Sequence, residues 1–580
     1  MMEGVSLNMV DTWEEAESFM TWLSERRPFM ACDTETGGFD WWRDELRMVQ
    51  FGDCFTGWSI PFERGGWGGL VKDVLRRYSG DLVFHNMKFD LKYLETNGCT
   101  VAHDRLQDTR SMAHILYPNK RTGLKELAAQ YVDGGAENGQ TDLKRGMTVN
   151  KWSWATVPVD FGPYWIYAAL DPVLTARLYE RFNHQITGDL RNVYELEIAC
   201  QIILDEMERR GARIDVPYCA EKQSELIQAA DAITQWCVDS YGFGPGSNAQ
   251  VASQLVHDGI ILQKRTAGGA WSVDEDVLEG IGITHPLAKA VLDVRKARKM
   301  ANSYFGNYIE YADGDMLHCD VNPLGATTGR MSVSRPALQQ IPRTKLLRDP
   351  FIPREGNKLV SVDFDQMEMR LLTHFSGDLG LLNAFKQDGD FFTNTARLIY
   401  GDPTIEKSDF RRQLTKNASY AKAYGSGVEK FALTAGIPVD QAQPFIATYD
   451  ATFPGVRGLQ QSVDMLARNA HASEGVAYVT TPLGRREVVD YTDWTYKLTN
   501  YLIQGTAADI FKQTLVDLDR AGLADRLILP VHDEALFDVP AEDAEEFATE
   551  AVKVFQARGD WAVELTSGSD ILDRWGEKYA

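Results

Sequence analysis

Two aspartates, each closing an apolar run, have the clearest chemistry in this chain: Asp363 in LVSVDFDQMEMR and Asp533 in LPVHDEALFDV. Carboxylates brought together at the ends of buried strands repel one another, and a divalent cation relieves that cost. Between them, FRRQLTKNASYAKAYG carries Arg412, Lys416, Tyr420 and Tyr424 at every fourth position. In a helix such residues drift by about 40° per step and form one gently spiralling stripe. Two cations and two aromatic rings on one face, between two metal-competent acids, suit the handling of a nucleoside triphosphate. Alone, the stripe fits an amphipathic helix with a solvated basic edge and a buried aromatic edge. Its place between the acid motifs favours chemistry.

A second set of acids lies in the first third. Asp33 and Glu35 form a DxE pair at the end of the strand-like PFMACD, and a strand period of two puts both on one face. By itself the pair reads equally as a solvated strand end. HNMKFD then supplies Asn86 and Asp90, QDT supplies Asp108, and YAALD supplies Tyr167 and Asp171 one helical turn apart. This ordered set resembles the DEDD superfamily of 3′–5′ exonucleases, in the subgroup with Tyr before the last Asp. The resemblance implies two Mg²⁺ ions roughly 4 Å apart that activate water and stabilise the leaving oxygen of a phosphodiester. Asp33, Glu35 and Asp171 would hold one ion, Asp33 and Asp90 would help place the other, and Tyr167 would orient the attacking water. Asp108 is expected to be a structural acid.

Five further motifs, TTGRMSVSRPALQQIP (327–342), SVDFDQMEMR (361–370), RxxxKxxxYxxxYG (412–425), NYLIQGTAADI (500–510) and VHDE (531–534), follow in order. They resemble the successive motifs of family A DNA polymerases, the DNA polymerase I type, over roughly residues 190–580. The implied fold is α/β and multidomain. An RNase H-like 3′–5′ exonuclease domain (1–190) would precede a right-hand polymerase domain with thumb (191–310), palm (311–375 and 487–580) and fingers (376–486). A preceding 5′-nuclease domain is not expected, a layout frequent in bacteriophage enzymes. The implied activity is template-directed DNA synthesis with proofreading, by two-metal nucleotidyl transfer, in phage DNA replication.

The same resemblance assigns roles. Asp363 and Asp533 would bridge two Mg²⁺, with Mn²⁺ able to substitute and the Phe364 carbonyl as a further ligand. Arg412 and Lys416 would meet the triphosphate, with Lys416 protonating pyrophosphate; Tyr420 and Tyr424 would lie beside the incoming base and the template. Glu368 matches the steric gate that excludes a 2′-hydroxyl; Gln366 shares its motif and also reads as a surface polar residue. Arg330, Asn500, Gln504 and His532 match contacts to the primer–template minor groove or primer end. Three positions depart from the family pattern. Tyr420 replaces a frequent Phe, which implies poor discrimination against dideoxynucleotides; Phe392 replaces a phosphate-contacting His; Tyr496 stands where a basic residue is expected.

Around these residues the chain must build large scaffolds. At 580 residues it exceeds a single core, so two to four domains are expected. Strand-like 357–362 and 526–531 flank a largely helical 376–475, which predicts one sheet interrupted by a helical insertion. A helix from Tyr194 to a cap at Gly211 is expected to leave the first domain, and 133–140 reads as a loop. No thioredoxin-type clamp insertion is evident within 200–310. No apolar run could cross a membrane, the start lacks signal-peptide features, and seven scattered cysteines without a CxxC pair read as reduced thiols of a cytoplasmic protein, in the host cell if phage-encoded.

A formal net charge of −23 argues naively against a nucleic-acid partner. Clusters at Arg295, Lys296, Arg298 and Lys299, and at Arg485 and Arg486, instead suggest an acidic exterior with basic channels. Expected partners are primer–template DNA, dNTPs and other replication-fork proteins, with no membrane and a monomeric state. A single-subunit RNA polymerase shares the two aspartates and the Lys-to-Tyr-Gly helix; Glu368 and the exonuclease acids oppose it. A non-catalytic DNA-binding or scaffold protein is opposed by the complete carboxylate sets.

Overall fold

Phe29–Thr36, the strand carrying Asp33 and Glu35, lies inside a six-stranded mixed sheet. The order is Ser6–Met9, Thr56–Pro61, Leu46–Gly52, Phe29–Thr36, Asp81–Phe84, Leu106–Asp108. Phe29–Thr36 runs antiparallel to Leu46–Gly52 and parallel to Asp81–Phe84, so its C-terminal end opens toward the loop that starts the helix Met87–Thr96. The helix Gly162–Asn183 packs across the sheet. A methyl group at Gly57 would collide with the carbonyl of Ala169, so that glycine permits the close approach that brings Tyr167 and Asp171 over the strand. The computed structural model describes residues 4–25, 27–136 and 140–579; the middle of the expected 133–140 loop, 137–139, lies outside the described residues.

A second sheet is antiparallel throughout, ordered Leu527–Val531, Glu534–Pro540, Asn357–Phe364, Ser567–Leu572. The two predicted strand regions therefore share one sheet, with Glu534–Pro540 between them. Helices from Met367–Ser376 to Pro454–Glu474 form the insertion. Leu498–Arg520, buried along most of its length, packs beside Met367–Ser376. An arm of four helices, Val216–Tyr241, Asn248–His257, Glu275–Gly282 and Pro286–Lys299, has a small core of its own around Cys237, Leu255, Leu278 and Val291.

The helix Asp189–Arg210 ends at Gly211, whose φ of 69° suits a residue without a Cβ. It packs against Met87–Thr96 and Thr109–Leu116 on one side and Leu498–Arg520 on the other, so it is shared by both halves. The basic-channel reading fails at Arg485. Its side chain is 3% exposed and pairs with Glu197 on the shared helix and Asp509 on Leu498–Arg520. Lys512 joins Glu197 at 2.6 Å, so these cations hold the halves together. All seven cysteines are buried and unpaired. Among the described residues no helix is long and apolar enough to cross a membrane.

Candidate active sites

Asp363 is the penultimate residue of Asn357–Phe364 and pairs in register with Glu534. Asp533 immediately precedes Glu534, so both carboxylates arrive at the same end of the sheet, where the Phe364 N–H donates to the Asp533 carbonyl at 3.3 Å. His532 and Asp533 form the whole loop between Val531 and its partner Glu534. His532 has φ 61°, a left-handed conformation that glycine normally takes in so short a hairpin. Its Nε2 lies 3.2 Å from the Gln339 carbonyl.

The two aspartates line a cleft of ≈ 590 Å³ together with Arg412, Lys416, Tyr420, Tyr424, Phe364, Gln366, Glu368, Arg330, His532 and Phe392. Asn500 and Gln504 do not line it; they lie about two turns and one turn before Ala508 and Ala507, which do. The Asn500 Oδ1 is buried with no partner among the described residues. The cleft wall holds six basic side chains (Arg330, Arg343, Lys407, Arg412, Lys416, Lys512) against five acidic ones (Asp363, Asp365, Glu368, Asp390, Asp533). Lys512 among them is spent on buried Glu197, which leaves five cations against five acids, so the acid excess of the whole chain is absent from this wall. Burial pushes Asp533 up to about 6, and the charge of Asp363 adds to the rise. Burial also raises Asp363, against the attraction of Lys578. Two half-buried acids whose burial raises them in this way will also accept cations.

The stripe expected over 412–424 lies on the helix Phe410–Ala423 and its cap, Tyr424. Arg412 is tethered by two bonds to Asp390, at 2.8 and 2.7 Å. Asp390 also caps Phe391–Tyr400 by accepting from the Thr393 N–H at 2.8 Å. Burial would raise Asp390, but the bonds from Arg412 and Thr393 prevail and hold it at about 2. Phe392 lies beneath both cations, its ring 5.7 Å from the Arg412 guanidinium and 5.7 Å from the Lys416 ammonium. The Tyr424 hydroxyl donates to Glu368 Oε2 at 2.6 Å, while Arg330 pairs with Oε1. Gln366 is half-buried and left-handed at φ 51°, and its Oε1 is buried without a partner among the described residues. Tyr496 is exposed, with the Lys497 ammonium 5.9 Å from its ring.

In the exonuclease half, Asp33, Glu35 and Asp171 each place a carboxylate oxygen within 4.8 Å of the others. Burial raises Asp33 and Glu35 well above the usual carboxylate range, with repulsion from neighbouring acids adding to it, and raises Asp171 against the attraction of Lys125. Asp90 is raised to about 8 by burial, against a bond from the Thr34 hydroxyl at 2.7 Å. The Tyr167 hydroxyl accepts from Gln140 at 2.8 Å. Asp108 is bonded elsewhere: it accepts the N–H groups of Asn86, Met87 and Ser111, so it ties two helix starts together.

Sequence reasoning missed a lysine at each acid set. Lys125 pairs with Asp171 and lies 4.4 Å from the Tyr167 ring; Lys578 lies 3.1 Å from Asp363 Oδ1. Neither stands in a motif, and nothing local marks them. A cation drawn to each set is what crowded carboxylates require, and the triad of Asp33, Glu35 and Asp171 has the spacing to hold a metal ion.

Residues 216–577 match the family model for DNA polymerase family A, and residues 7–187 match that for a 3′–5′ exonuclease. The DNA polymerases of Mycobacterium phages L5 and D29 are 29% and 28% identical to the chain, each over 99% of it and 97% of the relative. The thermostable DNA polymerase I of Thermus aquaticus is 30% identical over 69% of the chain and 50% of its own length. The POL domain of Pol1 from M. smegmatis, solved in complex with DNA primer-template and dNTP, superposes with a TM-score of 0.80 at 23% identity, covering 98% of this chain and 99% of that one. Both matched domain types depend on metal. The chain therefore belongs to DNA polymerase family A, and its exonuclease domain followed by a polymerase domain makes it a DNA-directed DNA polymerase with 3′–5′ exonuclease activity.

Proposed function

We propose that Asp363 and Asp533, with the Phe364 carbonyl, hold two Mg²⁺ ions at the polymerase site, and that Asp33, Glu35, Asp90 and Asp171 hold two at the exonuclease site. A metal held by these residues would supply Lewis-acid activation of the attacking oxygen and charge stabilisation of the leaving one in each phosphoryl transfer. The observation that carries this reading is the convergence of Asp363 and Asp533 on one cleft with the cations of Phe410–Ala423.

The chain's own residues then divide the work. Lys416 and Arg412 bind the triphosphate, and Lys416 places a proton within reach of the departing pyrophosphate. Tyr420 and Tyr424 flank the incoming base. Glu368, held by Tyr424, fills the space a 2′-hydroxyl would need, so dNTPs are selected. Arg330, His532, Asn500 and Gln504 follow the primer–template minor groove, whose acceptors look alike for every correct pair. In the nuclease, Tyr167 orients the attacking water.

The helical arm over 216–299 serves as thumb, the sheet with Asp363 and Asp533 as palm, and the inserted helices as fingers. The likeness to phage polymerases supports a role in phage DNA replication. Primer extension on a defined template with Mg²⁺ tests the reading. Asp363→Ala should abolish extension and leave DNA binding and exonuclease intact. Asp33→Ala should abolish degradation and leave extension. Extension surviving in Asp363→Ala would remove the basis for the proposal.

A further inference from the structure

The last turn of the chain reaches the polymerase site. Trp575–Tyr579 forms a short helix whose Trp575 is fully buried against Phe351, ring centres 5.2 Å apart. The Arg348 guanidinium is held between the rings of Trp575 (4.0 Å) and Tyr579 (4.4 Å) and donates to the Tyr579 hydroxyl at 2.6 Å. This clamp fixes Lys578, whose ammonium lies 2.8 Å from Ser361 Oγ, 3.1 Å from Asp363 Oδ1, 3.4 Å from Glu534 Oε1 and 3.4 Å from Asp570 Oδ2.

Glu534, the second acid of VHDE, faces the same anchor. Its Oε1 accepts from Ser361 at 2.6 Å and from the Trp575 indole at 3.0 Å, and its Oε2 lies 3.5 Å from Arg348. Unlike Asp363 and Asp533 it does not line the cleft. One carboxylate at the sheet end thus serves the C-terminal turn, and the ammonium it holds grips its neighbour.

We propose that Lys578 is a positioning residue for nucleotidyl transfer, holding Asp363 Oδ1 so that the remaining lone pairs of that carboxylate face the cleft. The inference rests on the reading of Asp363 as a metal carboxylate. Each carboxylate oxygen offers two lone pairs, so one bond to Lys578 leaves the others for metal. Two further acceptors, Ser361 and Glu534, and the charge of Asp570 hold the ammonium, so it stays in place when a divalent ion arrives. Ligating carboxylates depend on such partners for their orientation, and losing one costs about 10–100-fold in metal affinity or activity.

The test uses the full chain with Lys578→Met, which keeps the stem without charge, and Lys578→Arg, which keeps charge and donors. Mn²⁺ binding to the DNA-free protein is measured by titration calorimetry in an Asp33→Ala, Asp171→Ala background. Extension kinetics and exonuclease activity are measured with those acids intact. Lys578→Met should weaken Mn²⁺ binding by about tenfold and lower kcat for extension by about 10–100-fold. The KM for dNTP should stay within about twofold, because the triphosphate contacts are untouched. Exonuclease activity should be unchanged, and Lys578→Arg should recover most of the loss.

Unchanged or tighter Mn²⁺ binding in Lys578→Met overturns the proposal, since a lysine that merely fills the metal's place would leave a better site behind. Loss of exonuclease activity and thermal stability together with extension also overturns it, because Lys578 is then only a prop of the fold. If Asp363→Ala itself still extends primers, the reading beneath the proposal has failed. If Asp363→Ala is inactive while Lys578→Met behaves as wild type, only this inference has.

Discussion

Glu368 is held from two sides, by the Tyr424 hydroxyl and the Arg330 guanidinium, so its carboxylate has little freedom to retreat from a bulkier sugar. Glu368→Ala should raise ribonucleotide incorporation relative to deoxynucleotide by roughly 10²-fold in single-nucleotide extension, and Tyr424→Phe by less. An unchanged ratio in Glu368→Ala would place sugar selection elsewhere. The acids carry a second residue-scale prediction. Asp533, at about 6, and Asp90, at about 8, are raised from an ordinary 3.8, so the folded state holds protons the unfolded chain releases. The stability they lend is complete below that ordinary value and lost as pH rises through these raised ones. The metal-free protein should therefore melt lower at about pH 8.5 than at about pH 5, and the gain in melting temperature from Mg²⁺ should widen over that interval. A gain independent of pH would contradict the metal-holding role. The motif acids were legible because each stands in a local pattern of strand or helix. Lys125 and Lys578 were not, because their partners lie 46 and 215 positions away and a lone lysine carries no pattern.

Among the elements, the hairpin that presents Asp533 stores strain. His532 adopts a left-handed backbone in a two-residue loop, a cost of about 1–2 kcal/mol for a residue with a Cβ. His532→Gly should thus raise stability by about 1 kcal/mol in chemical denaturation while slowing primer extension. A variant both less stable and less active would instead make His532 a packing residue. The strands on either side of the insertion were readable as apolar runs of the right length. That Glu534–Pro540 comes between them was not, because sheet order is set by pairing between distant segments. Phe392 shows the same limit: as a departure from a family pattern it looked like a lost phosphate contact, and only packing reveals it beneath Arg412 and Lys416.

For the molecule as a whole, the two catalytic halves are joined through buried charge. Glu197 on the shared helix meets Arg485 and Lys512, and Arg485 meets Asp509, all nearly free of solvent contact. Glu487 beside them is fully buried, and burial raises it well above the usual carboxylate range against the attraction of Arg485. Glu197→Ala strands Lys512 without an acceptor and takes from Arg485 one of its two carboxylate partners, and should cost about 3–5 kcal/mol. Extension and degradation should then fail at the same temperature; separate losses would show that the halves melt independently. Composition could not reveal this seam, since Arg485 and Arg486 look alike in sequence while Arg485 is buried and Arg486 exposed.

The concealment of every cysteine has a practical side. Thiol reagents should spare the native enzyme and mark only molecules that have opened, so alkylation kinetics become a built-in clock of unfolding. A single cysteine introduced on the outer face of Phe410–Ala423 would then be the one reactive handle on the molecule. A dye attached there could report each finger movement during synthesis with no native thiol needing removal.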